Sequence, residues 1–329
     1  MVVTLCLSLP GYCQTNIKGT PTDRAAEITI VLNNIPANTV VLNIDDLILG
    51  TKSVCQPLRK SKNTLFFRIQ DPDLCLVTVR TLFGGLQKYA IAVAPNDKLK
   101  ITFDKKHSSS IKIEGRNARL ASDLCDLTQM VSLWDYEMRM AKKYKNMQQF
   151  KLYMDSVRSQ LFSYIDRGTK NKTLSVSSRP ALTELVDLYY DYSLLLKLRD
   201  NSLSDANNRR GSMPSSPLLN PPFMLKDRMP FAAAAYVDAM IGFITDWCIS
   251  DIGRIDSTKT DILLAPKFVD AVGKLKASKF MRDVLKSRWC YYCKNILQRP
   301  VDFDALIRSI ETPEILSRLQ DNRDKDAGK

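Results

Sequence analysis

The chain has 329 residues, 45% of them hydrophobic and 25% charged, with a formal net charge of +13. This length and balance suit a globular protein of two domains, each with its own core, and exclude a disordered or fibrous class. The positive excess is spread along the chain with no RNA- or DNA-binding motif beside it, and the single histidine, His107, excludes zinc sites that need two.

In chain order, Val2 to Leu9 is short and apolar, and Gly11-Tyr12-Cys13 before Gln14 offers small residues at the −3 and −1 positions of a cleavage site. Residues 1–13 are expected to be a signal peptide, and the protein to be periplasmic or otherwise exported. No lysine or arginine precedes the apolar run, which points to a true start further upstream. Tyr12 before Cys13 fits lipoprotein processing poorly. The later apolar run Phe231–Ile244 is interrupted by Asp238 and reads as a buried helix, so no transmembrane segment is expected. Of eight cysteines, Cys6 and Cys13 would leave with the signal, and the other six read mostly as small buried hydrophobes.

Residues 14–115 alternate with period two. Runs at 27–32, 39–44, 64–69 and 76–83 are followed by Tyr89-Ile91-Val93, Leu99-Ile101-Phe103 and Ile111-Ile113, with turn residues between them. About seven short strands are expected, forming an antiparallel β-sandwich. Asp45, Asp46, Asp71, Asp73 and Asp97 fall at strand ends. Turn carboxylates usually bond their own backbone, and no metal site is assigned to them.

From Arg116 the period becomes helical, and residues 116–329 are expected to form an all-α domain, giving an α+β chain. Leu120 to Met138 and Phe150 to Ile165 each follow an i, i+3, i+4 rhythm. Pro180 suits the first turn of a third helix. A proline-rich irregular loop is expected at about 200–230, with helices resuming at Phe231–Ile249, Lys267–Leu275, Ser278–Leu297 and Asp302–Glu311 and a last one from Pro313. The basic run Arg139, Lys142, Lys143 and Lys145 reads as a solvated helix face. Tyr189, Tyr190 and Tyr192 with Asp187 and Asp191 suggest a sugar-stacking platform, but helical spacing puts Leu188 and Tyr192 on one face and favours packing.

Trp289-Cys290-Tyr291-Tyr292-Cys293 has the W-C-x-x-C form of a thioredoxin-type redox site. That chemistry needs the first thiol at a helix N-terminus, where free N–H groups and the dipole favour the thiolate. Here KFMRDVLKSR precedes the pair, a charged helical pattern where a buried strand is required. Cys290 and Cys293 are thus the one candidate catalytic pair, and their setting favours two cysteines on a packed helix. No cofactor or metal is assigned.

The series Val93, Pro95, Asp97, Leu99, Ile101 and Phe103, then Ile111, Ile113 and Gly115, forms V-x-P-x-D-x-L-x-I-x-F followed by I-x-I-x-G. With a signal peptide before it and helices after it, this arrangement resembles the N-terminal region of exported bacterial thioredoxin-like proteins of the TlpA/ResA type. The family usually has glycine where this chain has Asn96, and both residues tolerate a left-handed turn. In that family a redox domain follows the helices, whereas this chain stops at a charged tail. The resemblance implies a non-catalytic accessory module whose partner is a protein, such as an exported thiol-redox protein. The alternatives are a thiol–disulfide oxidoreductase using Cys290 and Cys293, or a glycan- or peptide-binding module.

Overall fold

In a computed structural model of the chain, the residues described are 25–33, 39–46, 48–57, 63–69, 75–82, 88–94, 96–104, 111–132, 144, 146–204, 216–219, 233–256, 260–293 and 303–327. Strands come first: β1 (Ala26–Asn33), β2 (Thr39–Asp46), β3 (Gly50–Pro57), β4 (Thr64–Ile69), β5 (Cys75–Leu82), β6 (Lys88–Val93), β7 (Lys98–Asp104) and β8 (Ile111–Glu114). Helices follow: α1 (Ala118–Ser132), α2 (Met147–Lys170), α3 (Arg179–Ser204), α4 (Ala233–Asp256), α5 (Thr260–Gly273), α6 (Lys279–Tyr292), α7 (Phe303–Arg308) and α8 (Pro313–Ala327). Most of the described chain is helical.

The expected antiparallel β-sandwich of about seven strands is overturned, although the order of strands first and helices after holds. Among the described residues, eight strands form two four-stranded sheets, ordered β4-β1-β7-β8 and β3-β2-β5-β6. In the first sheet β1 runs parallel to β7, Ile28 facing Leu99 and Ile30 facing Ile101, and antiparallel to β4. A parallel pair cannot be closed by a tight hairpin, so this sheet is mixed. A helix also enters the core: α1 packs on β6 and β8, and its Ala121 is buried with Ile28, Ile30, Val40, Ile91 and Ile101.

The chain divides into two compact units, the first comprising 1–45, 51–143 and 159–186, the second 46–50, 144–158 and 187–329. The first unit takes its core from strand alternation. Along β1 every second residue is buried, and Leu65, Phe67 and Ile69 of β4 do the same. Its best-defined turn is the one singled out in the sequence. Asn96 has φ 62°, the left-handed conformation that asparagine tolerates. Asp97, 1% exposed, accepts hydrogen bonds from the Ala94 N–H at 2.8 Å and from the Asn117 Nδ2 at 2.5 Å, and its own carbonyl accepts from the Glu27 N–H at 2.7 Å. One buried carboxylate therefore closes the β6–β7 turn and ties it to the residue that precedes α1.

The second unit is built on α4, whose Val237, Met240, Ile241, Ile244 and Cys248 are buried among α5, α6, α7 and α8. Five residues from the β2–β3 connection, Asp46–Gly50, belong to this unit, and Ile48 is 2% exposed in its core. Asp283 on α6 fixes the start of α8. It is buried and accepts from the Glu311 and Thr312 N–H groups at 3.0 and 2.9 Å and from the Thr312 hydroxyl at 2.7 Å. Burial alone would raise its pKa, but the bonds from Thr312, Lys286 and Glu311 outweigh it and hold the carboxyl below its usual value.

Candidate functional site

Three places in the second unit carry the groups capable of chemistry or recognition. The first is the W-C-x-x-C stretch, at the C-terminal end of α6. This helix starts at Ser278, whose hydroxyl accepts from the Met281 N–H at 3.1 Å. Trp289 is fully buried, stacks on Phe268 with ring centroids 4.3 Å apart, and donates its Nε1–H to the Thr245 hydroxyl at 2.9 Å. The tryptophan is therefore a core anchor. Cys290 lies in the last turn with its Sγ 3.6 Å from the Lys286 carbonyl, and burial pushes its thiol up to about 12. Cys293 follows at the C-cap, fully buried. Neither is in a disulfide. A helix C-terminus carries the negative end of the dipole, so the helix opposes the thiolate that a redox nucleophile requires.

The second place is the tyrosine–aspartate stretch of α3. Tyr190 is 8% exposed and donates its hydroxyl to Asp155 of α2 at 2.5 Å, so it is a packed residue and not a stacking platform. Arg158 of α2 spans the same helix pair. Its Nε and Nη2 donate to Asp187 Oδ1 at 2.9 and 2.6 Å, and its guanidinium carbon lies 5.0 Å from the Tyr190 ring centroid. Asp191, one turn beyond Asp187, is half-buried, and burial, with the Asp187 charge added, pushes its carboxyl up from 3.8 to about 6 against the opposing pull of Arg158.

A carboxyl whose pKa is higher in the folded than in the unfolded chain favours folding below the unfolded value, and that contribution is lost as pH rises through the folded value. For Asp191 the window runs from 3.8 to about 6. The unscreened linkage is about 3 kcal/mol, and solvent around a half-buried side chain reduces it to about 1–2 kcal/mol. Asp191→Asn is expected to raise stability by about 1 kcal/mol at pH 7 and to leave it unchanged below pH 4. Urea denaturation at several pH values measures this, and a variant less stable than the parent at pH 7 would contradict it.

The third place was not legible in the sequence. Arg288, on α6, is 0% exposed and donates Nε and Nη2 to the two carboxylate oxygens of Asp238 on α4, at 2.5 and 2.7 Å. Its Nη1 donates to the Asp46 backbone carbonyl. The Asp46 carboxylate accepts from Arg318 of α8 at 2.5 Å through Oδ2, and from the Ile48 and Leu49 N–H groups at 2.9 Å through Oδ1. Gly50 closes the turn with φ 85°, where an added Cβ would lie 2.3 Å from the Tyr291 ring. The sequence signals were Asp238, a carboxylate inside an otherwise apolar helix, and Asp46, a strand-end carboxylate that bonds its own backbone as such residues were expected to.

Of the remaining sequence candidates, His107, Asp71, Asp73 and the basic run at 139–143 and 145 lie outside the described residues. Asp97 is committed to its turn. Among the described residues no three His, Cys, Asp or Glu side chains gather as a metal site would require, and no helix is long and apolar enough to cross a membrane. No protein-family model matches the chain, and no curated protein matches it either.

Proposed function

We propose that this chain is a non-catalytic exported accessory protein that acts by binding a protein partner. The reading rests on the sequence likeness to the N-terminal region of exported TlpA/ResA-type thioredoxin-like proteins, whose partner would be a thiol-redox protein. The observation that carries its non-catalytic part is the placement of Cys290. Its thiol lies at the C-terminal end of a packed helix and is pushed up to about 12 by burial, so it holds almost no thiolate at neutral pH. A disulfide reductase needs the opposite arrangement.

Serine at both positions of the pair tests this. Cys290→Ser/Cys293→Ser is expected to bind whatever the parent chain captures, with unchanged affinity, and neither protein is expected to accelerate the reduction of insulin disulfides. Because Cys293 is fully buried, the double variant should lose about 1–2 kcal/mol of stability from placing a hydroxyl there. Insulin reduction by the parent chain that disappears in the double variant would overturn the reading.

A further inference from the structure

The segment Asp46–Gly50 is held in the second unit in the way a peptide ligand is held. A carboxylate is paired with Arg318, and a backbone carbonyl is hydrogen-bonded by the fully buried Arg288. An isoleucine is seated in the apolar core, and a glycine lies flat against the Tyr291 ring. Four separate contacts hold Asp46, Ile48 and Gly50: the side chains of Arg288 and Tyr291 from α6 and Arg318 from α8, and the apolar core around Ile48, with Asp238 of α4 holding Arg288 in place. A core that needed only apolar filling has no use for a buried guanidinium, since desolvating it is costly unless every donor finds an acceptor. What the arginine adds is a fixed backbone anchor: with Nε and Nη2 held by Asp238, its Nη1 is aimed at one carbonyl of the segment, while Arg318 reads the Asp46 carboxylate.

We propose that the recess lined by Asp238, Arg288, Tyr291 and Arg318 is a binding site for an aspartate-led aliphatic turn of a partner protein, occupied in the isolated chain by its own Asp46–Gly50. The required ligand is an acidic–aliphatic turn with aspartate at the first position, a β-branched residue at the third and glycine at the fifth. Asp46 shows why the first position is fixed. The same side chain meets Arg318 and, by accepting from the Ile48 and Leu49 N–H groups, shapes the turn that presents Ile48. The cis segment acts as a built-in competitor, so a partner must displace it, and apparent affinity is reduced by the fraction of time the site is filled.

The proposal rests on the binding-protein reading given above, but its test is separate from the cysteine variants and can fail without them. A fluorescent peptide covering residues 44–51 is titrated into the full chain and into Gly50→Ala, whose added methyl meets the Tyr291 ring and unseats the chain's own turn. Asp46→Ala/Ile48→Ala serves as a second unseated form. Both variants are expected to bind the peptide at least about tenfold more tightly than the parent. Adding Arg318→Ala, or placing alanine at Asp46 in the peptide, should remove that gain. Equal binding by parent and variants that still melt cooperatively would overturn the proposal. So would loss of cooperative melting in both variants, because a displaceable ligand is not required for folding.

Discussion

Arg288→Met is expected to lower the stability of the full chain by about 3 kcal/mol, one of the two largest single effects predicted for this protein. The methionine retains most of the buried stem but deletes the three N–H groups that meet Asp238 and the Asp46 carbonyl. Breaking a buried ion pair by removing one partner costs about 3–5 kcal/mol, chiefly through the charge left behind. Asp238 is 40% exposed and can regain water, which places the expected value at the lower end of that range. Arg288→Lys should fall between, since a point charge cannot span both carboxylate oxygens. Arg288→Met combined with Asp238→Leu should recover part of the loss, because neither charge then remains. Urea denaturation of the four proteins measures the series, and a double variant no better than Arg288→Met would show that packing, not the charge pair, governs this site.

The second large effect belongs to the first unit. Gly115 has φ 137°, a conformation that residues with a side chain rarely adopt, and an added Cβ would stand 2.2 Å from the Lys98 carbonyl oxygen. The obstacle is backbone of β7, in the middle of the mixed sheet's β1-β7-β8 order, so it cannot move aside as a flexible side chain would. Gly115→Ala is therefore expected to cost about 3 kcal/mol or more, combining backbone strain with displacement of the strand. Replacing Asn96, also at positive φ, by glycine should change stability by less than about 1 kcal/mol, since its backbone conformation is already one glycine favours. Thermal unfolding compares the two, and a Gly115→Ala chain within about 1 kcal/mol of the parent would contradict the geometry.

These two sites differ in how much of them the sequence disclosed. Gly115 ends the alternating stretch from Tyr89, where period-two patterning and the Asn96-Asp97 turn are local signals, so strands β6, β7 and β8 were legible. β3 was not, because GTKSVCQP is a partly exposed edge strand with no apolar alternation to betray it. Sheet order was illegible for another reason. Alternation reports that β1 and β7 each bury one face, yet nothing in either run says that they lie side by side and parallel. That pairing, with α1 entering the core, is what separates the molecule from the antiparallel sandwich its pattern suggested.

The helices followed their 3.6-residue rhythm, except that α5 begins at Thr260, ahead of the expected start at Lys267, with Pro266 inside it. At the candidate sites the local signal was again the legible one. The charged run before Trp289 gave the helical setting of Cys290 and Cys293. The Arg288 cluster joins residues more than two hundred positions apart; Asp238 stood out as a charge inside an apolar helix and Asp46 as a strand-end carboxylate, but nothing in the sequence joined them.

The central claim, that the one C-x-x-C pair does no thiol chemistry, is tested most directly by pulsed alkylation of the native chain across pH, read residue by residue by mass spectrometry. Cys290 and Cys293 are predicted to stay unlabelled at pH 7 and to react at the rate of free cysteine only once the chain is unfolded, since burial holds the Cys290 thiol at about 12. Rapid labelling of Cys290 at pH 7, or recovery of a Cys290–Cys293 disulfide that reductant opens and oxidant closes, would contradict the account.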